Sequence, residues 1–341
     1  MDPRFRWRSF ERAQVPALNA ATRPAGGILL SVVLLGSQLV AAAHGSAKPA
    51  ARPELAARIG QLTRRIPSRS SQAFTGSEFA ESIRRMDSRQ RERAVQQEIL
   101  LGNIPTFLRR LVPVDLRYAE RGRTLAVTVF VMPDYLGIGS DTDFLRMPMN
   151  LETATNIAAP FGFVLPTRRI VDAIYAQSAH HFVPEPLTPG PQMSSIDYYQ
   201  RHNTLIEAQA RAGAVEPGTL VSGHKKDVVV TNLLARTPGR IAIYGWQRPG
   251  GAPIQPLSTV HGACYEDYSH GIRLVSEMAW QNGSFRPVRD ILQDPASAVV
   301  LSDEGVLRAI FASLAPPPEK PAALLATFNP GFCSSGTRDG N

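Results

Sequence analysis

Three histidines, two lysines and three carboxylates crowd into residues 220–275, LVSGHKKDVVVTNLLARTPGRIAIYGWQRPGGAPIQPLSTVHGACYEDYSHGIRLV. His224 and Asp227 stand three residues apart in a polar loop that runs into an apolar stretch. A carboxylate at that reach can hold an imidazole in one tautomer, or the two can share a metal. With a later histidine added, His224, Asp227 and His270 form a candidate zinc set with an open water position, and Glu266 or Asp267 a candidate general base. The spacing matches no dedicated zinc motif. Ser269 and His270 are neighbours, and neighbours on a strand face opposite ways, so a serine nucleophile there needs His224 or His261 as its base. No nucleophile-elbow glycine pattern surrounds Ser269. The candidate catalytic residues are therefore His224, Asp227, His261, His270 and Arg273.

The elements that must position these residues are short. Asp227–Asn232, Arg240–Trp246, Pro253–Val260 and Tyr268–Met278 read as strands, with Arg248-Pro249-Gly250-Gly251 as a hairpin turn and Gln281-Asn282-Gly283 as another. A strand over LAVTVFVM (125–132) reads as buried on both faces, followed by a return strand over 144–149. Helices are expected over 150–160, 167–178, 195–212 and 287–293, with an edge strand at 298–301 and a last helix from Asp303 capped by Ser302. Thr75 and Glu78 have capping-box spacing before a helix through Met86, and Ser88 starts a second helix through Leu101. The pattern predicts an α+β fold, mainly an antiparallel sheet with packed helices, preceded by a helical N-terminal arm.

Composition sets the frame. The chain has 341 residues, 43% hydrophobic and 19% charged, which suits a globular protein with a full core. Arg4, Arg6, Arg8, Arg12 and Arg23 precede the apolar run Ile28–Ala43, shorter than the ~20 residues of a membrane span, so residues 1–43 read as an export signal, with an uncleaved signal-anchor as the other reading. Residues 44–74 read as a linker, 75–123 as a basic helical arm, 124–315 as the main domain and 316–341 as a Pro-rich tail. The net charge of +8 is concentrated early: residues 51–123 hold fifteen arginines against eight acids, whereas 124–341 hold sixteen basic and nineteen acidic residues. A basic arm on an exported chain suits a wall polymer or an anionic envelope surface, or else is a solvated arginine-rich helix. Nucleic acid is a poor partner, because no aromatic-interleaved basic stripe accompanies the charge.

Three other features admit two readings each. Asp141 and Asp143 suit either a hard cation or an Asx-rich turn. The adjacent His180 and His181 diverge, which favours a surface or packing role over metal binding. Cys264 and Cys333 would tie the tail to the central stretch if they pair, which removes Cys264 as a nucleophile; unpaired, Cys264 is a thiol beside His261.

Val260-His261-Gly262 followed by Ser269-His270-Gly271-Ile272-Arg273-Leu274 resembles the signature of L,D-transpeptidases of the YkuD type. In that family a histidine-glycine pair precedes a serine-histidine-glycine-cysteine-isoleucine-arginine segment. The resemblance implies that His270 activates a nucleophile and that Arg273 places substrate, but no cysteine stands between Gly271 and Ile272. More broadly, GNIPTFLRRLVPV, VMPDYLGIGSDTDF, LPTRRIVDAIY, GHKKDVVV, IAIYGW, PIQPL and YSHGIRLV together resemble a family of uncharacterised exported bacterial proteins. The expectation is an exported, envelope-located hydrolase or transferase acting on a wall polymer through a His/Asp/Arg site. The alternative is a non-catalytic envelope binding or structural protein of the same fold.

Overall fold

Two capping boxes open successive helices near the start of the body. Helix α1 (Gly76–Ile83) is opened by Thr75, whose side chain accepts from the Glu78 N–H while Glu78 reaches back to the Thr75 N–H; Asp87 and Gln90 do the same for α2 (Ser88–Leu100). Each box satisfies two N–H groups that the helix itself leaves orphaned, a contribution of about 1 kcal/mol. The computed structural model describes residues 57–307. The signal, the first part of the linker and the tail lie outside the described residues, as does most of the helix expected from Asp303, whose first residues through 307 are not helical.

The arm is part of the body. Phe79, Ile83, Val95 and Ile99 are buried in the same core as Val129, Ile272 and Val275. Even in the expected linker, Ile66 is buried and Arg69 Nε donates to Asn103 Oδ1 at 2.9 Å. Residues 112–120, assigned to the helical arm, form a strand instead. β1 (Val112–Glu120) pairs with β2 (Arg123–Val131) in full antiparallel register from Val112↔Val131 to Glu120↔Arg123. The turn places Arg121 and Gly122 at φ 47° and 77°, a two-residue hairpin geometry that suits the strand twist. Val114 and Leu116 are buried while Pro113, Asp115 and Arg117 are exposed, so period-two burial outweighs the high charge of the segment. In β2 only the end carried by Val129–Val131 is buried on both faces, because the start of the hairpin reaches into solvent.

The protein is an α+β fold. One sheet runs β14-β13-β2-β12-β5, with β1 also on β2, where β5 is Phe163–Val164, β12 Val275–Ser276, β13 Met278–Gln281 and β14 Ser284–Pro287. The second runs β10-β9-β8-β11, built from β8 (Lys226–Val228), β9 (Ile243–Gln247), β10 (Pro253–Ser258) and β11 (His270–Gly271). Its pairs are antiparallel except β8 with β11, which are parallel. Tyr268–Met278, expected as one strand, is broken into β11, β12 and the start of β13, so it serves both sheets in turn. The expected edge strand at 298–301 is a 3-10 turn, Ala298–Val300.

Helices α3 (Leu151–Phe161), α4 (Arg168–Gln177) and α5 (Ile196–Ala212) start where side-chain caps occur: Asn150, Thr167 and Ser195 each accept an N–H three residues on. Two short helices, α6 (Leu233–Arg236) and α7 (Val288–Gln293), follow. Two small pairs complete the frame, β3 (Gly137–Gly139) with β4 (Phe144–Arg146) and β6 (His180–His181) with β7 (Val221–Ser222). Among the described residues no helix is long and apolar enough to cross a membrane.

Candidate functional site

The five candidate catalytic residues fall into two groups, His224, Asp227 and Arg273 around Tyr135, and His261 with His270 around Tyr265. His224 is fully buried, and its partner is Asp134, ninety positions earlier: Nε2 lies 3.1 Å from Asp134 Oδ1. The other oxygen of Asp134 accepts from Arg146 Nε at 2.9 Å and Nη2 at 2.6 Å. Arg146 Nη1 also donates to Asn203 Oδ1 and, at 2.7 Å, to Glu207 Oε1. Burial pushes the Asp134 carboxyl up, but the Arg146 guanidinium and the His224 hydrogen bond outweigh it and hold the group well below the usual carboxylate range. Burial takes His224 down to about 4, against the pull of Asp134, so at neutral pH the ring is uncharged and Nε2–H donates. A two-nitrogen ring with one bond made leaves Nδ1 unpaired.

Asp227 reaches the same neighbourhood through Tyr135, whose ring stands edge-on to that of His224 with centroids 4.9 Å apart. Strand alternation turns it away from Lys226, and Tyr135 Oη donates to its Oδ2 at 2.8 Å. Burial raises Asp227 to about 7, with Arg273 opposing. Arg273 is fully buried, lies 4.2 Å over the Tyr135 ring, and donates to the Met132 and Val221 carbonyls at 3.0 and 2.7 Å. It ties strand ends together inside the core and does not pair with Glu266 or Asp267. Glu266 is instead bound by Arg91 at 2.9 Å.

The zinc set is therefore not assembled. His224, Asp227 and His270 go to Asp134, Tyr135 and the neighbourhood of Asp267, and among the described residues no group of three or more His, Cys, Asp or Glu side chains is placed to hold a metal ion. Asp141 and Asp143 act as caps: Asp141 accepts the Phe107 N–H, and Asp143 accepts from the Ser77 N–H and hydroxyl at 3.1 and 3.0 Å. His181 stacks on Tyr175 with ring centroids 4.2 Å apart, a packing role. Cys264 is disulfide-bonded, which removes it as a nucleophile; the other cysteine of the chain, Cys333, lies outside the described residues.

What does come together is His261, His270 and Asp267, joined by Lys226 and Tyr265. The parallel pairing of β8 with β11 makes Lys226 and His270 register partners, so both side chains leave the same face of the sheet. Asp267 Oδ1 accepts from the Ser269 N–H at 2.7 Å and hydroxyl at 2.5 Å, and Oδ2 accepts from Tyr265 Oη at 3.0 Å. This commits Ser269 to orienting the carboxylate. His270 Nε2 is 4.0 Å from Asp267 Oδ2, and neither ring nitrogen has a hydrogen bond. Burial pushes Asp267 up, but His270, Lys226 and the Ser269 donors bring it down to about 2. Burial takes His270 to about 4 despite Asp267, so an uncharged imidazole faces an ionised carboxylate. Tyr265 covers His270 edge-on, with centroids 5.7 Å apart, and carries His261 stacked on its own ring at 4.3 Å. Lys226 Nζ stands 5.1 Å over the Trp246 ring. Trp246 itself adopts φ +56°, a left-handed backbone that costs a bulky residue of order 1–3 kcal/mol and clusters at functional sites.

Beside this group lies a buried carboxylate pair. Glu92 accepts the Asn150 N–H at 3.0 Å, and burial, then repulsion from Glu266, push it up to about 8. The folded protein thus keeps a proton that the unfolded chain releases above pH 4.5. Stability from this group is full below pH 4.5 and is lost as pH rises towards about 8. Glu92→Gln should melt higher than the wild type at pH 7.5 and at the same temperature at pH 4; equal Tm values at both would show that Glu92 ionises in the fold.

Sequence reasoning passed over Asp134, Arg146, His202 and Tyr265. His202 had a signal: with Ile196, Tyr199, Asn203 and Ile206 it completes the buried stripe of α5. Asp134 and Arg146 had none, because nothing local marks a carboxylate whose partners are distant. The chain matches no protein-family model, no curated protein and no solved structure.

Proposed function

We propose that this chain is an exported cell-envelope protein and that His270, Asp267, His261 and Lys226 form a proton-transfer site that acts on a wall polymer as a hydrolase or transferase. The basic-then-apolar leader supports export, and the L,D-transpeptidase-like pattern around His261 and His270 supports the polymer. The observation that carries the reading is His270: 0% exposed, uncharged, with both nitrogens unpaired and an ionised Asp267 at 4.0 Å. Burying an imidazole without partners is costly, and such groups concentrate where chemistry needs a base.

With Cys264 in a disulfide and no cysteine between Gly271 and Ile272, the reaction proceeds by direct attack of water or an acceptor amine on the scissile carbonyl. His270 takes the proton of the attacking group and returns it to the leaving amine, while Asp267 steadies the imidazolium formed between the two transfers. Tyr265 turns aside to admit substrate, and Lys226 offers its ammonium to an anionic group of the polymer.

The complete enclosure of His270, and the engagement of His224, Asp227 and Arg273 in core bonds, favour the second reading, a non-catalytic binding or structural protein. The test is release of soluble fragments from purified sacculi by the full chain with its disulfide intact. The catalytic reading expects turnover that falls at least about 100-fold in His270→Gln while Tm stays near the wild type. Turnover retained in that variant ends the catalytic role of His270. Sedimentation with sacculi and no turnover by the wild type supports the second reading.

A further inference from the structure

A groove of about 240 Å³ lies between α5, the β3–β4 hairpin and the start of α1, and it shares no residue with the His270 group. Asp143, Phe144, Gln200, Thr204, Glu207 and Arg211 line it. Its carboxylates and its amide are each pinned by one end. Asp143 Oδ1 takes both donors of Ser77, and Oδ2 has no partner among the described residues. Gln200 Oε1 accepts from Arg84 Nη2 at 2.9 Å, which leaves the amide nitrogen free to donate. Glu207 Oε1 accepts from Arg146 Nη1 at 2.7 Å, and among the described residues Oε2 is unpaired. The Arg211 guanidinium has neither a hydrogen bond nor an ion pair among them. Side chains fixed at one end and open at the other are already oriented, so a ligand that binds them pays little to order them.

The order of these groups decides the class of ligand. Along α5 they run donor, acceptor, acceptor, donor: the Gln200 amide, the Thr204 hydroxyl, whose proton goes to the Gln200 carbonyl at 2.9 Å, the Glu207 carboxylate and the Arg211 guanidinium. The Asp143 carboxylate adds a further acceptor from the hairpin side. At 1.5 Å per residue, the backbone positions of Gln200 and Arg211 are about 16 Å apart. A small cation would meet the acceptors but be repelled by Arg211, and an anion would meet two carboxylates. An amino acid has a single carboxylate and reaches only one of the two donors. A hydroxyl both donates and accepts, so a row of hydroxyls on a neutral chain answers every group in turn. The half-buried Phe144 ring adds an apolar surface for the C–H faces of sugar rings.

We propose that this groove binds a short stretch of a neutral, linear oligosaccharide laid along α5. The proposal rests on the wall-polymer reading for the origin of such a chain, but its test reads binding alone, so turnover by His270 can fail while it stands, and the reverse. The isotope-labelled full chain is titrated with cellotriose and with chitotriose and followed by its backbone amide shifts. One or both should give saturable shifts confined to residues 142–145 and 200–211, with a Kd on the order of 1 mM. Thr204→Trp, which fills the middle of the groove, should abolish them. Arg211→Met should weaken binding about tenfold, the effect of one charge-assisted hydrogen bond. Both positions are exposed, and the map of shifts in the wild type stands even if a variant fails to fold. Glucose should bind more weakly than cellotriose; equal affinity would overturn the extended groove. The proposal is also overturned by the absence of saturable shifts with both trisaccharides, by shifts elsewhere on the chain, by unchanged affinity in both variants, or by tighter binding of ethanolammonium or alanine than of either trisaccharide.

Discussion

Arg146→Met should lower the stability of the fold by about 3–5 kcal/mol, the range expected when one partner of a buried ion pair is removed. The side chain is 3% exposed and grips Asp134 through two nitrogens. Without it, Asp134 keeps only the His224 bond, and Glu207 loses its cation. The loss is read as a Tm drop on the order of 10 °C. Asp134→Asn in the same chain should restore part of it, because the second change neutralises the charge left stranded. The acid limb gives an independent check. A carboxyl held below its ordinary 3.8 contributes stability that is present above that pH and lost as pH falls further, so the wild type should weaken below pH 3.8 and the double variant should not show that loss. A single variant within about 1 kcal/mol of the wild type would mean that the pairing contributes little.

Gly271→Ala should cost about 3 kcal/mol, at the upper end of overpacking effects. Its φ is not left-handed; the constraint is space. A Cβ there would stand 2.6 Å from Tyr135 Cδ1, 2.7 Å from its Cε1 and 2.8 Å from Lys225 Cβ. The Tyr135 ring is itself wedged beneath Arg273 and bonded to Asp227, so it cannot yield without breaking the core network. Relief by a smaller ring neighbour offers the control: Tyr135→Leu with Gly271→Ala should lose less than the sum of the two single changes. Strict additivity in urea denaturation would remove the steric explanation.

Local signals in the sequence were legible wherever one residue answers to its near neighbours. Thr75, Asn150, Thr167 and Ser195 mark helix starts because a cap needs only an N–H two or three residues away. The hairpin of β9 and β10 follows from its Pro-Gly-Gly turn in the same way. β1 was hidden because its exposed charges resemble those of the helices before it, and only the period of burial tells them apart. The site was half legible. His261 and His270 share a locale because the chain turns back within nine residues, whereas His224 and Asp227 take their partners from the consecutive Asp134 and Tyr135, far earlier in the chain. A side chain's partner across a fold is chosen by packing, and no spacing rule along the chain encodes it.

The parallel contact between β8 and β11 also bears on how the molecule assembles. Lys226 and His270 become neighbours across a stretch that holds the β9–β10 ribbon, with β11 on the opposite side of β8 from β9. Joining ends so far apart brings an entropic penalty before any contact compensates it, and such contacts are formed late. Substitutions in β11 should therefore hasten unfolding far more than they slow refolding, leaving the helices and the β1–β2 ribbon to nucleate the fold.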